Sequence, residues 1–226
     1  MSLQESYYMK QNEFAAVMSM AGKKQLYCLN QENETAVDEQ ALWTACCSMV
    51  ADGIMTQTDG AFRLRRDWHE LLTPVVFARN VLTLHASDSR IRPVMYYQHK
   101  EAMTALSITA YGGFSLMPMY PDTLMQSLLE HLALEPYEPV VELTEPEEPE
   151  PVLPSWTLEQ LLQKGIFVLE VADPDTGERR HWLRGVYDQC IPWLEWPHGE
   201  QINRTTLTAA HLDECLRSIV EGASKL

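Results

Sequence analysis

No apolar run in this chain of 226 residues reaches the roughly 18 residues that a bilayer-spanning helix needs, so a helical membrane protein is excluded. Positive charge is also scarce. There are 17 Lys and Arg against 32 Asp and Glu, a formal charge of −15. Such a surface repels phosphate backbones and anionic lipid heads, which argues against nucleic-acid and membrane partners. The five cysteines, Cys28, Cys46, Cys47, Cys190 and Cys215, are odd in number and form no C-x-x-C. They read as reduced thiols that behave as small apolar side chains, not as a disulfide framework. The ten glycines include no phosphate-cradling loop, and Gly112-Gly113 serves a turn. No Ser–His–Asp order, nucleophile elbow or H-E-x-x-H occurs. Met1 to Lys10 lacks a basic segment followed by an apolar stretch, so a cytoplasmic protein is expected.

What the chain does have is a core's worth of apolar residues, 46% of the total. Its most informative feature is one apolar pattern met twice at an offset of about 87 positions. Val81-Leu82-Thr83-Leu84 lines up with Val168-Leu169-Glu170-Val171, Asp88-Ser89 with Asp175-Thr176, and Arg92 with Arg179. Met125, Leu128, Leu129 and Leu132 line up with Leu212, Cys215, Leu216 and Ile219. A fixed period points to one structural unit used twice. Each copy reads β-β-β-α, with Phe114-Ser115-Leu116 as a possible extra strand in the first. Short connections imply antiparallel pairing. Pro192 places the strand Cys190–Trp196 at an edge.

Ahead of the first copy, Asp38 caps a helix whose stripe is Leu42, Cys46, Met49 and Val50, and Gly53 closes it. A hairpin around Thr58-Asp59-Gly60 and a helix from Asp67 to about Ala78 follow. Helix, hairpin, helix is the outline of a winged-helix-like segment. Phe14–Met18 reads as helix or strand, and Gln25–Leu29 as a short strand. Glu135 to Pro154 holds seven glutamates and six prolines and no basic residue; without those glutamates the charge of −15 becomes −8. Proline cannot continue a helix or donate to a sheet, so this is a linker. Thr157 to Gln160 has the spacing of a capping box that opens the second copy, Gly165 stops that helix, and Gly222 closes the last one. The expected class is α+β, with an N-terminal unit 1–134, a linker 135–154 and a second unit 155–226.

Candidate chemistry is thin. Cys46-Cys47 sits mid-helix, where packing explains it. Cys190, His198, His211 and Cys215 make an irregular zinc set, and Cys215 already belongs to an apolar stripe. His85 and Asp88 lack a third partner for acid–base work. No catalytic, cofactor or metal site is assigned. The aromatics stand out more: Trp182, Tyr187, Trp193 and Trp196 crowd the second copy, and aromatic residues on an open sheet face are typical of protein-binding surfaces. Trp193 and Trp196, three apart in a strand, point to opposite faces. The bland alternative is that helices cover both faces.

Ala41-Leu42-Trp43 through Gly53-Ile54, Leu71-Leu72-Thr73-Pro74 and Val81-Leu82-Thr83-Leu84, in that order of elements, resemble the EspG family, the cytosolic chaperones of ESX (type VII) secretion. The resemblance covers residues 38–134, with a looser echo after 155. It implies two quasi-symmetric halves and a chaperone role; the acidic Pro-rich insert departs from the family's pattern. The favoured reading is therefore a non-catalytic module that binds another protein, a chaperone or adaptor. The second reading is a small-molecule sensor or enzyme with a pocket between the repeats, near His85, Asp88, Arg92 and Tyr96. A transcription regulator using Arg63, Arg65, Arg66 and Arg79 comes last.

Overall fold

The Asp38 carboxylate accepts the Ala41 N–H at 2.6 Å and starts the helix that its position predicts. A computed structural model describes residues 6–23, 38–134, 156–163, 165–199 and 201–225. The expected strand Gln25–Leu29 and the acidic segment Glu135–Pro154 lie outside the described residues. The chain forms two compact units that interleave in sequence. One comprises residues 1–80, 95–120 and 173–177; the other comprises 81–94, 121–172 and 178–226.

In the first unit, β1 (Tyr7–Met9) and α1 (Gln11–Met20) precede α2 (Glu39–Ala51). Phe14–Met18 is thus helical. Buried Glu13 joins the two helices: it accepts from Ser48 Oγ at 2.6 Å and from the Lys10 backbone N–H at 3.0 Å. The predicted hairpin is β2 (Met55–Thr58) with β3 (Ala61–Leu64), followed by α3 (Arg66–Phe77). Pro74 inside α3 withholds one helix hydrogen bond. In the preceding turn, buried Thr104 Oγ1 donates to the Leu71 carbonyl at 2.6 Å. Thr104 lies on β6 (Ala102–Ile108), and the strand order is β1, β7 (Phe114–Met119), β6, β5 (Val94–His99). Met95, Tyr96, Tyr97, Met103, Leu106 and Leu116 make its core, each at 2% exposure or less.

The second unit holds a five-stranded antiparallel sheet in the order β4 (Val81–Ala86), β8 (Gly165–Ala172), β9 (Arg179–Asp188), β10 (Ile191–His198), β11 (Gln201–Thr206). Pro121–Thr123 is a 3-10 turn that leads into α4 (Leu124–Leu132). The capping box is present: Thr157 Oγ1 accepts from the Gln160 N–H and Gln160 Oε1 from the Thr157 N–H, which opens α5 (Leu158–Leu162). The last helix is α6 (Ala209–Lys225).

Four sequence expectations change. The extra strand at Phe114-Ser115-Leu116 is formed as β7, and the second run also has four strands before its helix, not three, since β11 is formed. The strand with Pro192 is not at an edge: β10 lies between β9 and β11. Pro192 is tolerated there because the β10–β11 ladder begins at Trp193, so the missing N–H falls beyond its end; the Pro192 carbonyl still accepts from Leu207 at 2.9 Å. Gly165 opens β8, and α6 continues through Gly222.

Candidate functional site

Side chains alternate between the two faces of a strand, so the register of β9–β11 sorts the second unit's chemistry. Arg184 lies opposite Glu195, and Glu195 opposite Arg204. All three therefore share one face with Trp182 and Trp193. Trp182 also packs with Leu161, Val168 and Ile202, beneath Trp156, Leu158 and Leu162 from α5 and the residues before it. His181, Leu183, Leu194, Trp196, Asn203 and Thr205 occupy the other face, toward α6.

The first face is a buried ionic row. Arg184 Nε donates to Glu195 Oε2 at 2.8 Å, and its Nη2 approaches the same oxygen at 2.6 Å. Arg204 Nε lies 3.3 Å from Glu195 Oε1, an ionic contact without hydrogen-bond geometry, and Arg204 Nη2 donates to Asp188 at 3.0 Å. Tryptophans sandwich the row. The Arg184 guanidinium sits 4.6 Å from the Trp156 ring centre and 5.8 Å from that of Trp182, and Arg204 sits 4.5 Å from Trp193. The rings of Trp156 and Trp182 stack at 5.9 Å. Guanidinium is planar and weakly hydrated, so it can lie on an indole and still fork onto a carboxylate.

The other face is mostly covered, with Leu183 and Leu194 fully buried. A cavity of about 540 Å3 runs between β11 and α6. Its floor is His181, Leu183 and Trp196; one wall is Gln201–Thr205, the other the α6 stripe His211, Glu214, Cys215, Ser218 and Ile219. Burial lowers the pKa of His181, because the charged imidazolium would lose its water. Burial, then the Glu214 charge, pushes the Cys215 thiol up to about 11, so it stays protonated and unreactive. His211 Nδ1 meets the Thr206 carbonyl at 2.9 Å, which pins the start of α6 to the end of β11.

The four aromatics singled out from sequence are not gathered into one patch. Trp182 and Trp193 are each 7% exposed, within the ionic row. Trp196, on the opposite face as its spacing requires, is half-buried in the cavity floor, and Tyr187 is 55% exposed. Sequence reasoning passed over Arg184, Glu195, Arg204 and His181. The available signal was the i, i+2 spacing of Trp182 with Arg184 and of Trp193 with Glu195, which sets each pair on one face.

The residues named for a small-molecule site are engaged individually. His85 pairs with Glu170 at 3.3 Å, and Arg179 pairs with the same carboxylate. The Arg90 guanidinium and backbone N–H hold Asp88 at a pKa of about 2. His131 Nε2 meets the Arg92 carbonyl at 2.9 Å, and Tyr96 is fully buried. Among the described residues, no group of three or more His, Cys, Asp or Glu is placed to hold a metal ion. Cys190 lies in the turn before β10 and His198 at its far end, about 24 Å of strand away.

No helix among the described residues is long and apolar enough to cross a membrane. No family model and no curated protein matches the chain. Among solved structures it is similar to the Mycobacterium tuberculosis type VII secretion system chaperone EspG5, determined in complex with a PE25–PPE41 dimer. The identity is 5%, the TM-score 0.55, and the match covers 96% of each chain. At that identity the likeness concerns architecture alone, and it extends the EspG resemblance from residues 38–134 to nearly the whole chain: this protein has an EspG-like α+β fold.

Proposed function

We propose that this chain is a non-catalytic, cytoplasmic protein-binding module, a chaperone or adaptor of the EspG type, built by duplication of one unit. The observation that carries the functional reading is the whole-chain match to a chaperone caught holding a protein dimer. Surface composition supports it. Trp43 is 54% exposed and packs edge-on against Phe62 at 5.0 Å, and Tyr111 is 94% exposed. Aromatic anchors of this kind are enriched where proteins meet. Tyr187 and the cavity-lining Trp196 are the reachable members of the aromatic set in the second unit. The formal charge of −15 keeps a chain with such anchors soluble.

The duplication reading gains support from the β4–β8 register. The offset of 87 maps Thr83 onto Glu170, and Thr83 pairs with Glu170 in the sheet. A residue that faces its own counterpart is what a two-fold relation between copies requires. On this reading the copies are 81–134 and 155–226, joined by the linker 135–154 and preceded by the winged-helix-like segment. The test is co-purification from the native cytoplasm under mild conditions. A stoichiometric protein partner that shifts the chain on size exclusion is expected; a chain that elutes alone at every salt concentration and gives no cross-linked protein product refutes the reading.

A further inference from the structure

Strand β11 ends the second unit's sheet, and its hydrogen bonds can be assigned by parity. Leu207 donates to Pro192, which makes that pair hydrogen-bonded. In an antiparallel ladder such pairs alternate, so Thr205, Asn203 and Gln201 turn their N–H and C=O groups toward β10. Ile202, Arg204 and Thr206 turn theirs outward. The Thr206 carbonyl is taken by His211. Among the described residues, nothing engages the outward backbone groups of Ile202 and Arg204. Proteins usually blunt an open edge by shortening it, placing proline in it or charging it. The edge strand β1 is three residues long; β11 is six, without proline, and its one charge, Arg204, is already paired with Glu195 and Asp188.

This edge forms one wall of the cavity of about 540 Å3, and the walls match in length. Gln201 to Thr205 spans about 14 Å of extended chain, and His211 to Ile219 spans about 12 Å of helix. Four residues of extended peptide fill that distance. The side chains around it suit such an occupant: Leu183, Trp196 and Ile219 are apolar, and Asn203, Thr205 and Ser218 offer hydrogen bonds. Two charged residues line the cavity. Arg204 is neutralised, whereas exposed Glu214 has no partner among the described residues. The uncommitted charge is therefore negative, on a chain that is itself strongly acidic.

We infer that the groove between β11 and α6 binds an extended, basic and apolar segment of a partner protein, which adds to β11 as a further strand. Main-chain hydrogen bonds to Ile202 and Arg204 supply the affinity. Apolar side chains enter toward Trp196, and a Lys or Arg meets Glu214. The inference rests on the protein-binding reading above and names the surface and the kind of segment.

The probe is a blocked, fluorescent six-residue peptide of alternating lysine and valine, titrated by anisotropy against the full chain. Binding in the micromolar range is expected. Methylating alternate amide nitrogens in one of the two registers should weaken it at least tenfold, and in the other register should not. Ser218→Trp, at an exposed site, fills the groove and should weaken it as much without moving the melting temperature. Glu214→Lys should reverse the preference to the glutamate–valine peptide. Equal binding by both N-methylated peptides, indifference to Ser218→Trp, or no binding at millimolar peptide overturns the proposal. A co-purified partner that survives Ser218→Trp defeats the groove alone. Absence of any partner, with the peptide pattern intact, defeats the chaperone reading and leaves the groove standing.

Discussion

Strands β5–β7 and strands β9–β11 both lead into a helix, and they bury their polar atoms in opposite ways. The first set keeps its interior neutral. Its buried polar side chains include Thr104, satisfied by the Leu71 carbonyl, among Met95, Met103, Leu106 and Leu116. The second set buries ions. Arg184 and Glu195 are each 8% exposed, and the row Arg184–Glu195–Arg204 crosses three strands between tryptophans. A similar run of elements therefore does not dictate a similar interior. Strand alternation asks only that one face be dry, and an ionic row meets that demand if every partner is present. The two solutions differ in what they risk. A neutral core loses transfer and cavity energy when cut, whereas an ionic row with one member removed keeps a charge without water.

The sharpest test of that difference is Glu195→Ala, which leaves the buried Arg184 guanidinium without its carboxylate while Arg204 keeps Asp188, and should cost about 3–5 kcal/mol in urea or guanidinium unfolding. Leu106→Ala in the neutral interior should cost about 3 kcal/mol. The contrast lies in the rescue: Arg184→Met, Glu195→Leu and Arg204→Met together should recover stability to within about 1 kcal/mol of the parent. A triple variant no better than Glu195→Ala breaks the comparison.

A smaller effect separates the glycines. A Cβ on Gly185 would lie 2.5 Å from the ring of Phe167, which is 2% exposed, whereas one on Gly113 would meet Tyr8, which is 50% exposed. The Phe167 ring is held by its core and Tyr8 can swing into water. Gly185→Ala should therefore cost about 1–3 kcal/mol, and Gly113→Ala less than about 1.

A gentler distinction is pH. His181 is held neutral by burial, and the residue 87 positions earlier is Val94. The folded pKa lies below the ordinary value of 6.5, so the unfolded chain binds the proton first. Stability should fall as pH drops through 6.5 toward the folded pKa, then level off. His181→Gln should remove that portion of the slope in pH-dependent melts; an unchanged slope refutes the assignment. The smallest effect is on thiol reactivity. Exposed Cys47 and Cys190 should react with a maleimide in the native state, while buried Cys46 should wait for unfolding, as mass spectrometry after timed quenching will tell.

Local signals were readable where one segment carries the whole cause. Asp38 and the Thr157–Gln160 box predicted their helix starts, since the bonds that make a cap lie within four residues. Pro121, whose φ is already set for a first turn, opens a 3-10 turn ahead of α4. Strand β11 was not. Gln201-Ile202-Asn203-Arg204-Thr205-Thr206 has one apolar residue and no alternation, and it is a strand because β10 supplies a ladder for it. The β9 and β10 strands were legible, but not the tight turn that joins them. Gln189 and Cys190 both take positive φ, 48° and 68°, without the Asn-Gly pair that usually marks such a turn. Of the candidate site, the opposite facing of Trp193 and Trp196 followed from spacing. Their surroundings did not, because Arg184, Glu195 and Arg204 become neighbours only through register.

The amino-acid sequence alone determined the α+β class, the acidic surface, the helix caps and the twice-used apolar pattern. These depend on composition and on contacts between near neighbours along the chain. The tertiary structure decided that β10 lies inside the sheet, that an ionic row fills one face of β9–β11, and that a groove opens between β11 and α6. Each of those depends on which strand pairs with which and in what register. A slip of one residue would turn every one of these side chains to the other face.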